Sequence, residues 1–350
     1  MPDHAPTTVG GPSLITYPDS YASSTPPGQW VTDVLGSDFF ARTLPLARDE
    51  EGEVVATLVK HAPEDKTLTK IPVLFVHGWS DYFFNRGFAE FWTDRGHPFY
   101  ALDLRKYGRS LRSWQSPGLV NDLVQYDEEI WQAYRLIRSE HGSHQVPFQL
   151  ILSGHSTGGL TLALWAHRNP RRVRAMVLNS PWLEFQGSAL MRQFTAAMID
   201  PWSVLTPRRE LHLPKPEHYY RSMADTDSGE WSLHPTWRPR GGFPVYPAWV
   251  KAILSGHATV AQGLQIPAPI WVSLAAKSQF WSAWRSRMQQ VDIVLDVEQV
   301  AARVFRLGPE VSLYRQRAAM HDVFASRAEV RAEAYAALER WRVGYLAEPT

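Results

Sequence analysis

Hydrophobic positions along this chain alternate between two periods. Phe40 to Leu46 and Glu53 to His61 carry apolar and β-branched residues in extended spacing. Between them lies the charged turn Arg48-Asp49-Glu50-Glu51-Gly52, so the two runs predict an opening antiparallel hairpin. Ile71 to Val76 is short and continuously apolar, the form of a strand buried on both faces of a parallel sheet. Phe88, Phe91 and Trp92 then share one helical face, and Gly96 supplies a stop. The rhythm repeats with a strand at Pro98 to Leu102 and a helix over Asp127 to Arg138 carrying Ile130, Tyr134 and Ile137. Further strands follow at Gln149 to Leu152, Val173 to Leu178, Ile270 to Leu274 and Val311 to Tyr314. A capping box at Ser326 and Glu329 opens a last helix, with Val330, Ala334, Leu338 and Trp341 at helical spacing. Strands alternating with helices predict an α/β fold with a mostly parallel sheet.

The alternation fails between Ser180 and about Pro267. This stretch is rich in proline, tryptophan and arginine, has little periodicity beyond a short helix over Gly187 to Met198, and reads as an insertion over the sheet. The expected organisation is therefore an arm over residues 1–34, a core over 35–180 and 268–350, and a cap, or lid, over 181–267. Proline and small polar residues dominate the arm.

Composition narrows the function classes. With 44% hydrophobic residues, 20% charged residues and a formal net charge of +1, the chain is not a polybasic nucleic-acid binder. It has no cysteine, which excludes disulfides, thiolate metal sites and a cysteine nucleophile. No signal-like start and no apolar run of about twenty residues is present, so a soluble, cytoplasmic protein without a transmembrane segment is expected. The excess of arginine over lysine points to a GC-rich, bacterial genome.

The chemistry begins at Gly154-His155-Ser156-Thr157-Gly158, set between an apolar strand and an alanine- and leucine-rich helix. G-x-S-x-G at a strand-to-helix junction is the sequence form of a nucleophile elbow, in which glycines permit a strained turn that lifts the serine hydroxyl above the sheet. A serine hydroxyl needs a positioned base, and the base needs a third group to fix its tautomer. His321 follows the last strand and is the only histidine after His257. Asp292 and Asp296 both follow the Ile270 to Leu274 strand. Asp292 is favoured because Asp296 is placed to cap a helix near Val297, with Glu298 a more distant choice. The Thr157 amide and the amide of Trp79, in His77-Gly78-Trp79, are the candidate oxyanion donors. His77 and His155 read as residues that bond or pack against backbone, with the elbow turning His155 away from Ser156.

Tyr82 and Phe83, after the oxyanion loop, and Trp182, in the insertion, are the candidate substrate-binding residues within an aromatic surface suited to an apolar acyl or aryl group. No H-E-x-x-H, phosphate loop or dinucleotide fingerprint occurs, so neither metal nor cofactor is expected.

With these positions assembled, the chain resembles the α/β-hydrolase superfamily, and within it the monoacylglycerol lipase and lysophospholipase-like serine hydrolases. The resemblance runs through His77-Gly78-Trp79-Ser80-Asp81, Asp103 to Ser110, Gly154 to Gly158, Asp292 to Asp296 and Met320-His321. It implies an eight-stranded, mostly parallel sheet flanked by helices, with a cap inserted after the sixth strand. It also implies that the aspartate opening D-x-x-x-D, here Asp292, is the triad acid. One departure is Lys106, which stands where the family has the first glycine of D-x-x-G-x-G-x-S. The expected activity is cofactor-independent hydrolysis of a small-molecule carboxylic ester through an acyl-enzyme. Alternatives are the same triad acting on an amide or C–C bond or as an acyltransferase, and a non-catalytic ligand-binding protein on this scaffold.

Overall fold

The computed structural model describes residues 28–142, 147–185, 199–212 and 217–346. Among these residues nine strands form one sheet in the order β1-β2-β3-β5-β4-β6-β7-β8-β9. The antiparallel side is β1 (Val31–Asp33), β2 (Gly36–Asp49) and β3 (Gly52–His61), and β3 pairs antiparallel with β5 (Phe99–Asp103). From β5 onward all pairings are parallel, through β4 (Val73–Val76), β6 (Leu150–His155), β7 (Val173–Asn179), β8 (Ile270–Ala275) and β9 (Val311–Gln316).

The pattern of burial explains this division. β6 and β8 are buried along their whole length, as strands covered on both faces must be, while β2 alternates buried with partly exposed positions. Helices α1 (Arg86–Thr93), α2 (Asp127–His141), α3 (Thr157–Arg168), α4 (Glu217–Met223), α5 (Pro247–Gln262), α6 (Val297–Val304) and α7 (Ala328–Leu346) complete the labelled elements. No helix among the described residues is long and apolar enough to cross a membrane.

The strand count differs from the expected eight because Val31–Asp33, assigned to the arm, belongs to the sheet. Its anchor is buried charge. Arg109 donates from Nε and one terminal nitrogen to Asp33 at 2.7 and 2.8 Å, and from the other to Asp103 at 2.8 Å, with all three side chains fully buried. A single cation between two carboxylates ties the first strand to the loop after β5.

The insertion differs too. Pro247–Gln262 is a 16-residue helix with proline in its first turn, and its Trp249, Val250, Ile253 and Val260 join the main core. Gly256 on this helix faces Leu160 and Leu164 of α3, so the helix flanks the sheet. The expected helix over Gly187 to Met198 and most of the arm lie outside the described residues.

Two further details concern Ser326, which departs from the expected cap, and Lys106, which stands where the resemblance has glycine. The Ser326 hydroxyl does not cap α7; it accepts from the Met320 amide at 2.9 Å and bonds the Asp322 carbonyl, bracing the loop that carries His321. Lys106 adopts the left-handed conformation at φ 62° that glycine would take freely. Its buried ammonium reaches Asp49 and Glu51 of the β2–β3 hairpin, each at 2.6 Å, which offsets the backbone strain.

Between α1 and β5, His97 is buried against Trp92 and bonds the Ile71 carbonyl at 2.9 Å. Burial pushes its pKa down to about 4. A group neutral in the folded state and protonated near pH 6.5 when unfolded stabilises the fold above that pH, and the contribution is lost as pH falls toward 4. Acidification from pH 7.5 to 4.5 should therefore remove about 2 to 3 kcal/mol through His97. Urea unfolding at the two pH values, with His97→Gln alongside, checks this; equal pH slopes in the two proteins would dismiss His97 as the source.

Candidate active site

The turn from β6 into α3 holds Ser156 at φ 52° and ψ −117°, a region that strains any residue with a Cβ. Close approach of three segments imposes this shape. The Ser156 amide donates to the Asn179 carbonyl at 3.1 Å, and the Ser156 carbonyl accepts from the Trp182 amide at 3.0 Å. A Cβ on Gly158 would lie 2.3 Å from the His77 carbonyl oxygen, and one on Gly154 would lie 2.8 Å from the Gly159 amide. Only glycine fits at either position.

Gly78 backs onto the same turn, its missing Cβ 3.1 Å from the Ser156 Cβ, so the loop carrying Trp79 runs beside the serine. Thr157 is the first residue of α3, where the amide has no intrahelical acceptor. His77 fixes this loop: its Nε2 accepts from the Leu104 amide at 3.1 Å, which leaves Nδ1–H to donate to the Gly78 carbonyl at 2.7 Å.

His321 sits between β9 and α7 with its imidazole Nδ1 2.8 Å from Asp292 Oδ2, both side chains buried. The other Asp292 oxygen accepts from the Val294 and Leu295 amides, each at 2.7 Å, and these bonds fix the carboxylate plane. Asp296 instead caps α6, accepting from the Glu298 and Gln299 amides. With Nδ1 facing a carboxylate, the lone pair of His321 is at Nε2, and this buried atom has no hydrogen-bond partner among the described residues.

His155 packs on His321 with ring centroids 4.9 Å apart, a contact that the sequence did not disclose. Its Nδ1 lies 3.1 Å from the Asn179 carbonyl, and burial pushes its pKa down, which keeps the ring neutral.

Asn179, at the end of β7, is a residue that sequence reasoning missed. Its carbonyl receives the Ser156 amide, while its side chain donates to Asp322 at 2.7 Å and accepts from the Val323 amide at 3.1 Å. One residue thus ties the elbow to the loop of His321. The only signal in the sequence is a polar residue closing a strand whose preceding four residues, Ala175 to Leu178, are apolar. Also missed were Arg238, whose buried guanidinium pairs with Asp81 of the loop that carries Trp79, and Tyr219, whose ring meets His321 edge-on at 5.6 Å. Burial acts against the Arg238 charge, but Asp81, then Tyr219 and Asp322, raise its pKa.

The expected substrate-binding residues separate. Tyr82 and Phe83 are packed into the core: the Tyr82 hydroxyl accepts from the His234 amide at 3.0 Å, and the Phe83 ring lies against Phe75 and Phe99. The cavity they border is about 20 Å³, room for a water but not for an acyl chain. Trp182 stays beside Ser156 through its amide and forms an aromatic wall with Trp249 and Trp79, at centroid separations of 6.0 and 5.7 Å along the series. Among the described residues no three histidines or carboxylates are grouped to hold a metal ion.

Comparison with known proteins agrees with this architecture. The family model Hydrolase_4, described as serine aminopeptidase S33, matches residues 67–231. The 1-acylglycerol-3-phosphate O-acyltransferase ABHD5 of Sus scrofa is 30% identical over 115 residues, which is 32% of this chain and 30% of that protein. Its Mus musculus counterpart is 31% identical over 119 residues, 33% of this chain and 30% of that protein. The chain thus spans less than a third of the length of these relatives.

Solved structures match over far more of the fold. Monoacylglycerol lipase of Paleococcus ferrophilus aligns with a TM-score of 0.54 at 18% identity, covering 79% of this chain and 96% of the other. A soluble variant of monoglyceride lipase from Saccharomyces cerevisiae, in complex with a substrate analogue, aligns with a TM-score of 0.60 at 12% identity, covering 87% and 96%. The element order, the sheet and these matches together give the chain an α/β-hydrolase fold, similar to that of monoacylglycerol lipase.

Proposed function

We propose that this protein is a serine hydrolase that cleaves carboxylic esters through an acyl-enzyme on Ser156. The observation that carries the reading is the imidazole of His321, held at Nδ1 by a buried, doubly hydrogen-bonded Asp292 and left with an Nε2 that has no partner among the described residues. That arrangement is costly to a fold and useful to a base.

His321 removes the Ser156 proton as Oγ attacks the carbonyl carbon, and Asp292 stabilises the imidazolium that forms. The Trp79 and Thr157 amides receive the oxyanion; support comes from Gly78, which seats the Trp79 loop against Ser156. Collapse of the tetrahedral intermediate breaks the bond to the alcohol, which takes the proton from His321, and water activated by the same histidine then releases the acid. The wall of Trp79, Trp182 and Trp249 favours an apolar acyl group. We assign the core to residues 31–180 and 247–346 and the cap to 181–246, since α5 packs with the core.

A fluorophosphonate probe should label Ser156 stoichiometrically, and kcat/KM on p-nitrophenyl esters should rise from acetate to longer acyl chains. A folded protein that neither labels nor turns over any such ester would end this reading.

The names of the relatives favour one second reading, in which an alcohol in place of water takes the acyl group from the same intermediate. Formation of a new ester when an alcohol acceptor is added would distinguish it.

A further inference from the structure

Tyr219 stands apart from the other aromatic residues around the site. It lies on the short helix α4, in the segment between β7 and β8, and its ring packs edge-on against His321 at 5.6 Å. Its hydroxyl is buried and has no hydrogen-bond partner among the described residues. A phenylalanine would fill the same space without burying an unmatched polar atom, so the phenol costs stability as it stands. The neighbouring His321 Nε2 is unmatched in the same way. Two orphaned polar atoms, on rings packed against each other beside the serine elbow, call for an occupant that completes both.

We infer that Tyr219 is a further catalytic residue, whose hydroxyl donates a hydrogen bond to the leaving-group oxygen of the ester as the acyl-enzyme forms. The inference rests on the serine-hydrolase reading and deepens it. As the tetrahedral intermediate collapses, the carbonyl carbon keeps the Ser156 oxygen and its bond to the alcohol oxygen breaks. That oxygen takes the electron pair and then the proton from His321 Nε2, while Tyr219 keeps its own proton and stabilises the charge in passing.

The surroundings suit a donor. Burial pushes the Tyr219 pKa well above the usual phenol range, with the nearby Arg238 charge acting in the opposite direction, so the hydroxyl remains protonated. The Arg238 guanidinium lies over the ring, 5.3 Å from its centroid, and draws electron density away from the oxygen. Arg238 is itself fixed by Asp81 of the oxyanion loop, which ties the position of α4 to the loop that holds Trp79.

A hydrogen bond to the departing oxygen matters most when the leaving group is a poor one. Alkyl alkoxides need it, whereas p-nitrophenolate carries its own charge with ease. The substrates this site favours are accordingly alkyl esters with an apolar acyl group.

The test compares Tyr219→Phe with the unaltered protein on ethyl butyrate and p-nitrophenyl butyrate, which share one acyl group and differ in the leaving group. The variant should lose roughly 10- to 100-fold in kcat/KM on the ethyl ester and less than about threefold on the p-nitrophenyl ester. Its thermal midpoint should be unchanged or higher, because only an unmatched hydroxyl is removed. Equal losses on the two esters, or no loss on either, would overturn the role of Tyr219 and leave the serine-hydrolase reading intact. If the unaltered protein turns over neither these esters nor their longer-chain counterparts and is not labelled by the fluorophosphonate probe, that reading fails and this inference falls with it.

Discussion

Ser156→Ala should lower kcat for ester hydrolysis by roughly 10⁴- to 10⁶-fold, with the melting temperature held or raised. The activity loss follows from removing the atom that attacks the carbonyl, after which only binding and the oxyanion amides remain. The stability result follows from backbone geometry. At φ 52° and ψ −117° the Ser156 Cβ is strained, and the turn persists because Gly154 and Gly158 admit backbone where side chains would collide. Alanine keeps the Cβ and therefore the strain. Ser156→Gly removes it and should raise stability by about 1 kcal/mol. Steady-state kinetics and thermal melts of the three proteins measure both effects. A Ser156→Ala protein that keeps a tenth of the original kcat would remove the serine from the chemistry. A destabilised glycine variant would mean that the turn is not strained.

What the sequence discloses about this molecule is what short-range chemistry determines. The elbow is local: five consecutive residues between a strand and a helix specify it. The placement of His321 and Asp292 after particular strands follows from a regular α/β order, which brings strand ends to one edge of the sheet.

Asn179 is equally close to the site but offers only one polar residue at a strand end, and its role depends on neighbours in β6 and in the loop after β9. Arg238 and Tyr219 are further from reach, because they lie in a proline-rich segment whose path is set by tertiary contact. Tyr82 and Phe83 show the converse error. An aromatic run after an oxyanion loop reads as a pocket lining, yet hydrophobicity alone does not say whether a ring faces a ligand or its own core. The missed strand at Val31–Asp33 is three residues long and is held by Arg109, a contact between residues 76 positions apart.

The choice between the two aspartates is where local reading and three-dimensional geometry can be separated by experiment. Asp292→Asn should reduce kcat by about 10⁴-fold. The Val294 and Leu295 amides hold one oxygen of residue 292, so an asparagine would turn its NH₂ toward His321. Nδ1 would then have to accept, the ring proton would move to Nε2, and the base would be unable to take the Ser156 proton. The fold should survive, since the amide keeps the shape of the carboxylate. Asp296→Ala removes a helix cap instead, costing about 1 kcal/mol of stability while leaving kcat within about twofold. Kinetics and urea unfolding on the two variants give four numbers. A large kcat loss at Asp296 with none at Asp292 would reverse the assignment, and losses at both would place the whole loop, not one carboxylate, in charge of the imidazole.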